Sequence, residues 1–337
     1  MKKEEILLKI LMEREDSYVS GEELAGRLSV SRTAVWKGVE ALRAAGYRID
    51  SVTNRGYRLS SGSDVLSAAG IEKHLKTKGL RLRVLPFVTS TNTLLKAEAA
   101  EGAPEGAVLV AGEQTEGRGR MGRSFFSPPG SGLYLSLLLR PQAPAAETAK
   151  LTAYAAVAVA EALEEAGGAA EIKWVNDIYM GGRKVSGILT EAALDCERGV
   201  TEYAVVGIGV NLYAPEGGFP PELGEIAGAA FGNGSGDGNA ETVPALRCRL
   251  AAAVIDRFFG FYRSDGPETA RYCYKAYKRR SLVLGRRVLV HAVARPPEEA
   301  EAVDIAPDFS LVVRGADGII RRVASGEVSV RVADAGL

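Results

Sequence analysis

The run Gly117-Arg118-Gly119-Arg120-Met121-Gly122-Arg123 and, further on, Lys173-Trp174-Val175-Asn176-Asp177 carry the residue types from which an anion site is built. Arginine offers forked donors that match carboxylate and phosphate oxygens, and glycine lets backbone amides close on an anion with no Cβ in the way. Three arginines on a glycine-punctuated loop, with Lys173 as a fourth cation, predict a flexible clamp for an anionic ligand. Ser90, Thr91, Asn92 and Gln114 add neutral hydrogen-bonding groups suited to an uncharged polar head group. Gly207 and Gly209 would let a strand backbone come close to a flat ligand.

Other chemistries find no support in the sequence. There is no GxxxxGK[ST] phosphate loop, and Gly207-Ile208-Gly209-Val210-Asn211 lacks the third glycine of a dinucleotide fingerprint and falls at the end of a predicted strand. His74 and His291 stand alone, which argues against a metal site and against a Ser/His/Asp arrangement. Positioning and charge stabilisation remain, and they suit phosphoryl or adenylyl transfer.

The elements that must hold these residues read as α+β. Strands are expected at 108–112 and 133–139, a helix over 147–166, then strands at 172–175, 184–191 and 203–210. Strands in runs with few helices between them predict a mixed or largely antiparallel sheet. Residues 231–240 (FGNGSGDGNA) read as a mobile loop, followed by a helix over 243–262. From Ser281 onward, short apolar runs separated by Gly, Pro and Asp predict a small SH3-like β-barrel.

The first 60 residues predict a winged helix-turn-helix. Ile6, Leu7, Ile10 and Leu11 recur at helical spacing; Ser20 with Glu23 forms a capping box for a second helix; Ser31 caps a third, which Gly46 ends. Tyr47 to Val52 and Tyr57-Arg58-Leu59 form a hairpin about Asn54-Arg55-Gly56. With Val35, Val39 and Leu42 inward, Arg32, Thr33, Trp36 and Lys37 face out, as a helix docking in the major groove requires, and Arg55 tips the wing. The segment holds 11 Lys/Arg against 9 Asp/Glu, so its basic character is local. Residues 60–63 form a Ser/Gly linker. The expected domains are 1–62, 63–280 and 281–337.

Bulk composition adds limits. The 337 residues are 46% hydrophobic and 25% charged with no net charge, so DNA binding has to come from a local patch. No apolar run reaches the ~18–20 residues needed to span a bilayer, and the amino terminus lacks the pattern of a secretory signal. Cys196, Cys248 and Cys273 fit neither a disulfide framework nor a zinc site, which predicts a reducing cytoplasm.

Taken together, Ser90-Thr91-Asn92, GRGRMGR from Gly117, KWVND from Lys173, RKVSGIL from Arg183, GIGVN from Gly207 and GEVSVR from Gly326 resemble the bifunctional biotin–protein ligase and biotin operon repressor family along nearly the whole chain. SRTAVWK from Ser31 is similar to the repressor-type members. The resemblance implies a central domain of the class II synthetase-like kind. It also implies a two-step reaction: biotin and ATP, with Mg²⁺, give biotinyl-5′-AMP, and a lysine of biotin carboxyl carrier protein then takes the biotin. By the same resemblance Ser90, Thr91, Asn92, Gln114, Arg118, Gly119, Arg120, Lys173, Gly207 and Gly209 would line the biotin site. Arg120, Arg123, Phe125, Asn176 and Asn211 would meet the adenylate. Lys173, Arg118 and Arg120 would serve catalysis, and Asp177 would orient the incoming amine. The adenylate would favour a homodimer that grips operator DNA through Arg32, Thr33, Trp36, Lys37 and Arg55. Phe125 stands where the family often has Trp, and Val175 where it often has Pro, which implies a lower affinity for the adenylate with the reaction class unchanged. Two other readings of the same residues are a lipoate–protein ligase and a biotin-sensing transcription factor without ligase activity.

Overall fold

A computed structural model of the chain describes residues 3–14, 17–60, 64–144, 147–232, 245–292, 297–324 and 328–332. Residues 61–63 of the expected linker and 233–240 of the expected loop lie outside the described residues. The chain divides into two units, Met1–Lys76 with Asp237–Ala252, and Thr77–Gly236 with Ala253–Leu337.

The first unit follows its end signals closely. Helix α1 (Lys3–Glu13) precedes α2 (Gly21–Leu28), where the Ser20 hydroxyl accepts the Glu23 N–H at 3.0 Å, and α3 (Arg32–Ala44), where Ser31 accepts the Ala34 N–H at 3.2 Å. The reciprocal half of the expected capping box gives way to charge pairing: the Glu23 carboxylate lies 3.1 Å from Arg14. Gly46 takes a φ of +94°, and the Tyr47 N–H reaches back to the Leu42 carbonyl at 3.1 Å. This is the left-handed helix stop that glycine makes without strain. Strands β1 (Ile49–Val52) and β2 (Gly56–Leu59) pair antiparallel as the wing. Leu7, Leu11, Val19, Leu24, Val35, Val39, Leu42 and Ile49 bury together as one core, to which Ala69 of a short α4 (Ala68–His74) adds.

The second unit is built on a seven-stranded sheet. Its strands are β3 (Arg81–Leu85), β4 (Ala107–Ala111), β5 (Gly132–Leu139), β6 (Glu171–Lys173), β7 (Asp177–Met180), β8 (Arg183–Asp195) and β9 (Val200–Asn211), in the order β3-β4-β5-β9-β8-β7-β6. Only the β3–β4 pair is parallel, so the sheet is mixed and largely antiparallel. Helix α5 (Thr91–Ala100) and the alanine-rich α6 (Thr148–Glu165) pack on it, and Ala153, Ala155, Ala156, Ala158 and Ala160 are fully buried. Small side chains let that helix approach the sheet closely. Helices α7 (Leu246–Arg263, in this unit from Ala253 onward) and α8 (Pro267–Arg279) follow. Five antiparallel strands close the chain: β10 (Arg287–Ala292), β11 (Glu298–Ile305), β12 (Leu311–Gly315), β13 (Ile320–Val323) and β14 (Val328–Val332), in the order β13-β12-β11-β10-β14, consistent with the SH3-like expectation. Among the described residues no helix is long and apolar enough to cross a membrane.

Several elements depart from the sequence reading, among them α5 and β7, which it did not include. The strand expected at 172–175 stops at Lys173, and Trp174-Val175-Asn176 turns the chain so that Asp177 opens β7 and pairs across from Lys173. Helix α8 did not register in the sequence because its heavily basic surface hides the apolar stripe of Cys273, Ala276 and Tyr277. Its signal was Gly266-Pro267, proline being favoured at the first helical position.

Candidate active site

The arginine run is a narrow hairpin rather than a loose clamp. The Phe125 N–H donates to the Gly117 carbonyl at 2.8 Å, Arg118 bridges Ser124, and the Gly119 N–H donates to the Arg123 carbonyl at 2.7 Å. A single 3₁₀ turn at Arg120–Gly122 forms the tip, with Met121 at φ +55° and Gly122 at φ +73°. Gly117 is needed for the hairpin itself, since a Cβ there would lie 2.2 Å from the Phe125 carbonyl oxygen. The glycines therefore allow backbone to approach backbone, and the arginine side chains are what the hairpin offers to a ligand.

Below the hairpin lies a network of neutral polar groups, already interlocked. Ser90 caps α5, its hydroxyl 3.4 Å from the Thr93 N–H. The Gln114 carbonyl oxygen accepts from the Thr91 N–H at 2.9 Å and from its hydroxyl at 3.0 Å, while the Gln114 amide donates to Ser127 at 3.0 Å. Ser136 of β5 lies 2.7 Å from the Thr91 hydroxyl and 2.6 Å from Asn92 Oδ1. The Asn92 nitrogen donates to the Leu189 carbonyl at 3.2 Å and to Glu191 Oε2 at 3.0 Å. Buried polar groups need such partners, because an unpaired one costs ~1–3 kcal/mol.

The two strand glycines serve side chains of the protein. A Cβ at Gly207 would stand 2.2 Å from Asn92 Oδ1, and one at Gly209 would stand 2.5 Å from the Phe125 ring. Gly187, paired with Gly209 across β8 and β9, has the same ring 3.3 Å from its Cβ position. Phe125 is thus laid on bare strand backbone where a flat ligand was expected.

On the far wall, the β6–β7 turn presents Lys173, Asn176 and Asp177. The turn is held from behind: the Trp174 indole N–H donates to the Phe309 carbonyl at 2.8 Å, and the buried Tyr277 hydroxyl donates to the Val175 carbonyl at 2.9 Å. Asn176 donates to the Ile188 carbonyl at 2.8 Å and accepts from Arg120 at 3.2 Å, tying the turn to both β8 and the hairpin tip. Lys173 Nζ sits 3.4 Å from the Tyr179 hydroxyl and 5.2 Å from that ring's centre. Asp177 Oδ1 lies 2.7 Å from Lys184 Nζ as an ion pair whose angles fall short of a hydrogen bond.

Charge in this space is unevenly solvated. Burial lowers the Arg120 pKa, partly opposed by the nearby Asp177 carboxylate. Burial, with help from Asp177, pushes the Tyr179 hydroxyl up to about 12, so it stays protonated beside Lys173. For Glu191 burial alone would raise the pKa, but hydrogen bonds from Lys96 and Asn92 outweigh it and the net shift is downward.

The arginine hairpin, the Ser90–Asn92 and Gln114 groups and the β6–β7 turn share one cavity of about 810 Å³. Every ligase-site residue named from the sequence lines it: Ser90, Thr91, Asn92, Gln114, Arg118, Gly119, Arg120, Arg123, Phe125, Lys173, Asn176, Asp177, Gly207, Gly209 and Asn211. The sequence reading missed Lys184, an apolar strip of Phe219, Leu223 and Ile226, and Arg286 just ahead of β10. It also missed Ser127, Ser136 and Glu191, which brace the polar network. Lys184 could have been found from its place in the RKVSGIL run; the apolar strip carries no comparable signal. In the first unit Arg32, Thr33, Trp36 and Lys37 all stand exposed on α3, Trp36 at 51%, and Arg55 is exposed at the wing turn with its guanidinium 4.8 Å from the Tyr18 ring centre.

Comparison with known proteins bears on both units. Residues 84–211 match the biotin/lipoate A/B protein ligase family, and residues 3–58 match a helix-turn-helix (HTH) domain. The bifunctional ligase/repressor BirA of Bacillus subtilis is 41% identical over 224 residues, covering 66% of this chain and 68% of that protein. A biotin–[acetyl-CoA-carboxylase] ligase of Mycobacterium tuberculosis is 32% identical over 240 residues, covering 68% of this chain and 80% of that one. Among solved structures, the biotin protein ligase of Aquifex aeolicus in complex with biotin and ATP superposes with a TM-score of 0.58 at 27% identity, over 75% of this chain and 99% of that one.

Proposed function

Because the chain belongs to the biotin/lipoate protein ligase family, among relatives that are bifunctional ligase/repressors, we propose that it joins biotin to protein and represses transcription in response to biotin. It uses ATP to form biotinyl-5′-AMP and transfers the biotin to a lysine of biotin carboxyl carrier protein. The observation that carries this reading is the convergence of Arg118, Arg120, Arg123 and Lys173 with the Ser90–Asn92 and Gln114 cluster on one cavity.

The reaction follows from that layout. A biotin carboxylate oxygen attacks the α-phosphorus of ATP, the bond to pyrophosphate breaks, and a mixed anhydride forms. Both reactants are anions, so bringing them together requires compensating charge, which Lys173 and the hairpin arginines supply in place before the reaction begins. The neutral network binds the uncharged ureido head and so fixes where the carboxylate reaches. An acceptor lysine, as the free amine, then attacks the anhydride carbonyl, AMP leaves, and the amine proton is lost. Asp177, at the mouth of the β6–β7 turn, orients that amine. Shelter from water between the steps falls to the arginine hairpin.

Mg²⁺ would accompany the nucleotide. Among the described residues no three His, Cys, Asp or Glu side chains gather as a metal site, which fits an ion held chiefly by phosphates and water. Glu225 is a carboxylate on the cavity wall that would help complete its oxygen shell, and the ion would neutralise the triphosphate.

DNA reading is assigned to residues 1–62, ligation to 63–280, and support of the Lys173 turn to 281–337. Adenylate binding favours a homodimer, which presents two copies of α3 to a two-fold operator. Transfer of labelled biotin to a carrier protein, dependent on ATP and lost in Lys173→Ala, tests the ligase. Transfer that needs no ATP, or lipoate outcompeting biotin, would overturn it. A gel shift with and without biotin plus ATP tests the repressor, and equal DNA affinity in the two conditions would remove that half.

A further inference from the structure

Glu191 lies outside every sequence motif used to locate the site, yet its carboxylate joins the fixed floor of the cavity to the arginine hairpin. Oε2 accepts from Asn92 at 3.0 Å; Oε1 lies 2.7 Å from Lys96 Nζ and 3.4 Å from Arg118 Nη1. The side chain is 17% exposed, while that of Arg118 is 48% exposed. Resting on the ligase reading, we propose that Glu191 is a positioning residue for biotin recognition, acting through Asn92 and Arg118.

The physical basis is the polarity of the Asn92 amide. Its nitrogen faces two groups that can only accept, the Leu189 carbonyl and the Glu191 carboxylate. The oxygen is thereby turned toward Ser136 and over the bare Cα of Gly207, on the cavity floor. A guest that approaches this oxygen from the cavity meets an acceptor, and the guest that satisfies it carries N–H donors, as a cyclic urea does and a dithiolane does not. Charge-assisted bonds are about twice as strong as neutral ones, so the carboxylate holds this orientation more firmly than a carbonyl would alone. The same carboxylate draws the Arg118 guanidinium from the hairpin toward the head-group end.

The test compares wild type with Glu191→Gln, which keeps the shape and removes the charge, and with Lys96→Met, which removes the carboxylate's other cation. Calorimetry gives biotin affinity, and ATP–pyrophosphate exchange gives KM and kcat. Glu191→Gln is expected to raise the KM and Kd for biotin at least tenfold while kcat at saturating biotin falls less than threefold, and to lower the preference for biotin over lipoate. Adding Arg118→Ala to it is expected to cost less than the same change in wild type. Lys96→Met should leave the biotin KM within threefold. A biotin KM unchanged in Glu191→Gln, additive double-mutant effects, or Lys96→Met reproducing the loss would overturn the proposal. Wild type failing to bind biotin would instead remove the ligase reading itself.

Discussion

Replacing Gly209 by alanine puts a methyl carbon 2.5, 2.7 and 2.9 Å from three atoms of the Phe125 ring. Carbon atoms rest ~3.5–4.0 Å apart, so the ring must move by about 1 Å. It cannot move freely, because the Phe125 N–H is bonded to Gly117 at 2.8 Å and its carbonyl accepts from Ser127 at 2.9 Å. Displacing the ring therefore displaces the base of the arginine hairpin. Overpacking of this kind costs ~1–3 kcal/mol, and at 1.4 kcal/mol per factor of ten a cost falling wholly on the ligand-competent state weakens biotin binding by roughly 5- to 150-fold. Calorimetry on Gly209→Ala, Phe125→Leu and the double variant separates the causes. If the methyl acts by lifting the ring, the double variant binds more tightly than the sum of the single losses predicts, because the clash is gone. Additive losses would mean that the methyl obstructs the ligand directly, and Gly209→Ala binding biotin within twofold of wild type would refute the packing argument altogether.

Lys173→Met is expected to slow adenylate formation by roughly 10²–10³-fold in pyrophosphate exchange, the scale of losing one preorganised charge-stabilising group, while biotin affinity changes far less. Tyr277→Phe leaves the Val175 carbonyl without its 2.9 Å donor in a buried setting, so urea unfolding should show a loss of ~1–3 kcal/mol. The depressed pKa of Glu191 has a signed consequence: its contribution to stability is complete above the ordinary glutamate value and lost as pH falls through the lower folded value. The thermal midpoints of wild type and Glu191→Gln should accordingly differ at neutral pH and converge only in acid; a gap that widened toward low pH would contradict the shift. Ser31→Ala removes the cap of α3 and should cost about 1 kcal/mol in the first unit, read by hydrogen exchange at Ala34 and its neighbours.

What the sequence made legible was local. The caps at Ser20 and Ser31, the Gly46 stop and the spacing of Val35, Val39 and Leu42 specify the first unit within a few neighbouring residues, and the structure follows them. The cavity residues were legible because they cluster in short runs. Glu191 and Ser136 were not, since each occupies a strand position where a polar residue reads as solvent-facing, and only pairing between distant strands brings them against Asn92. That Phe125 rests on Gly187 and Gly209 was not legible, because nothing local reveals that the two glycines lie side by side beneath it. The turn at 174–176 was hidden for a related reason: Trp174 and Val175 look like strand residues, and it is Phe309 and Tyr277 that hold them in a bend.

Strand β6 is the rim of its sheet, and its outward backbone is not left open. The Ile172 N–H donates to the Arg280 carbonyl at 2.7 Å and the Leu282 N–H returns to the Ile172 carbonyl at 2.8 Å, one residue before Lys173. The three residues entering the terminal β-module thus act as a partial eighth strand, and the module's Phe309 grips the neighbouring indole. A bare rim recruits foreign strands, so this seam guards against aggregation as well as fixing an ammonium group. Shortening the polypeptide ahead of residue 280 would therefore unseat the reactive end of the molecule and expose a sticky margin in the same stroke.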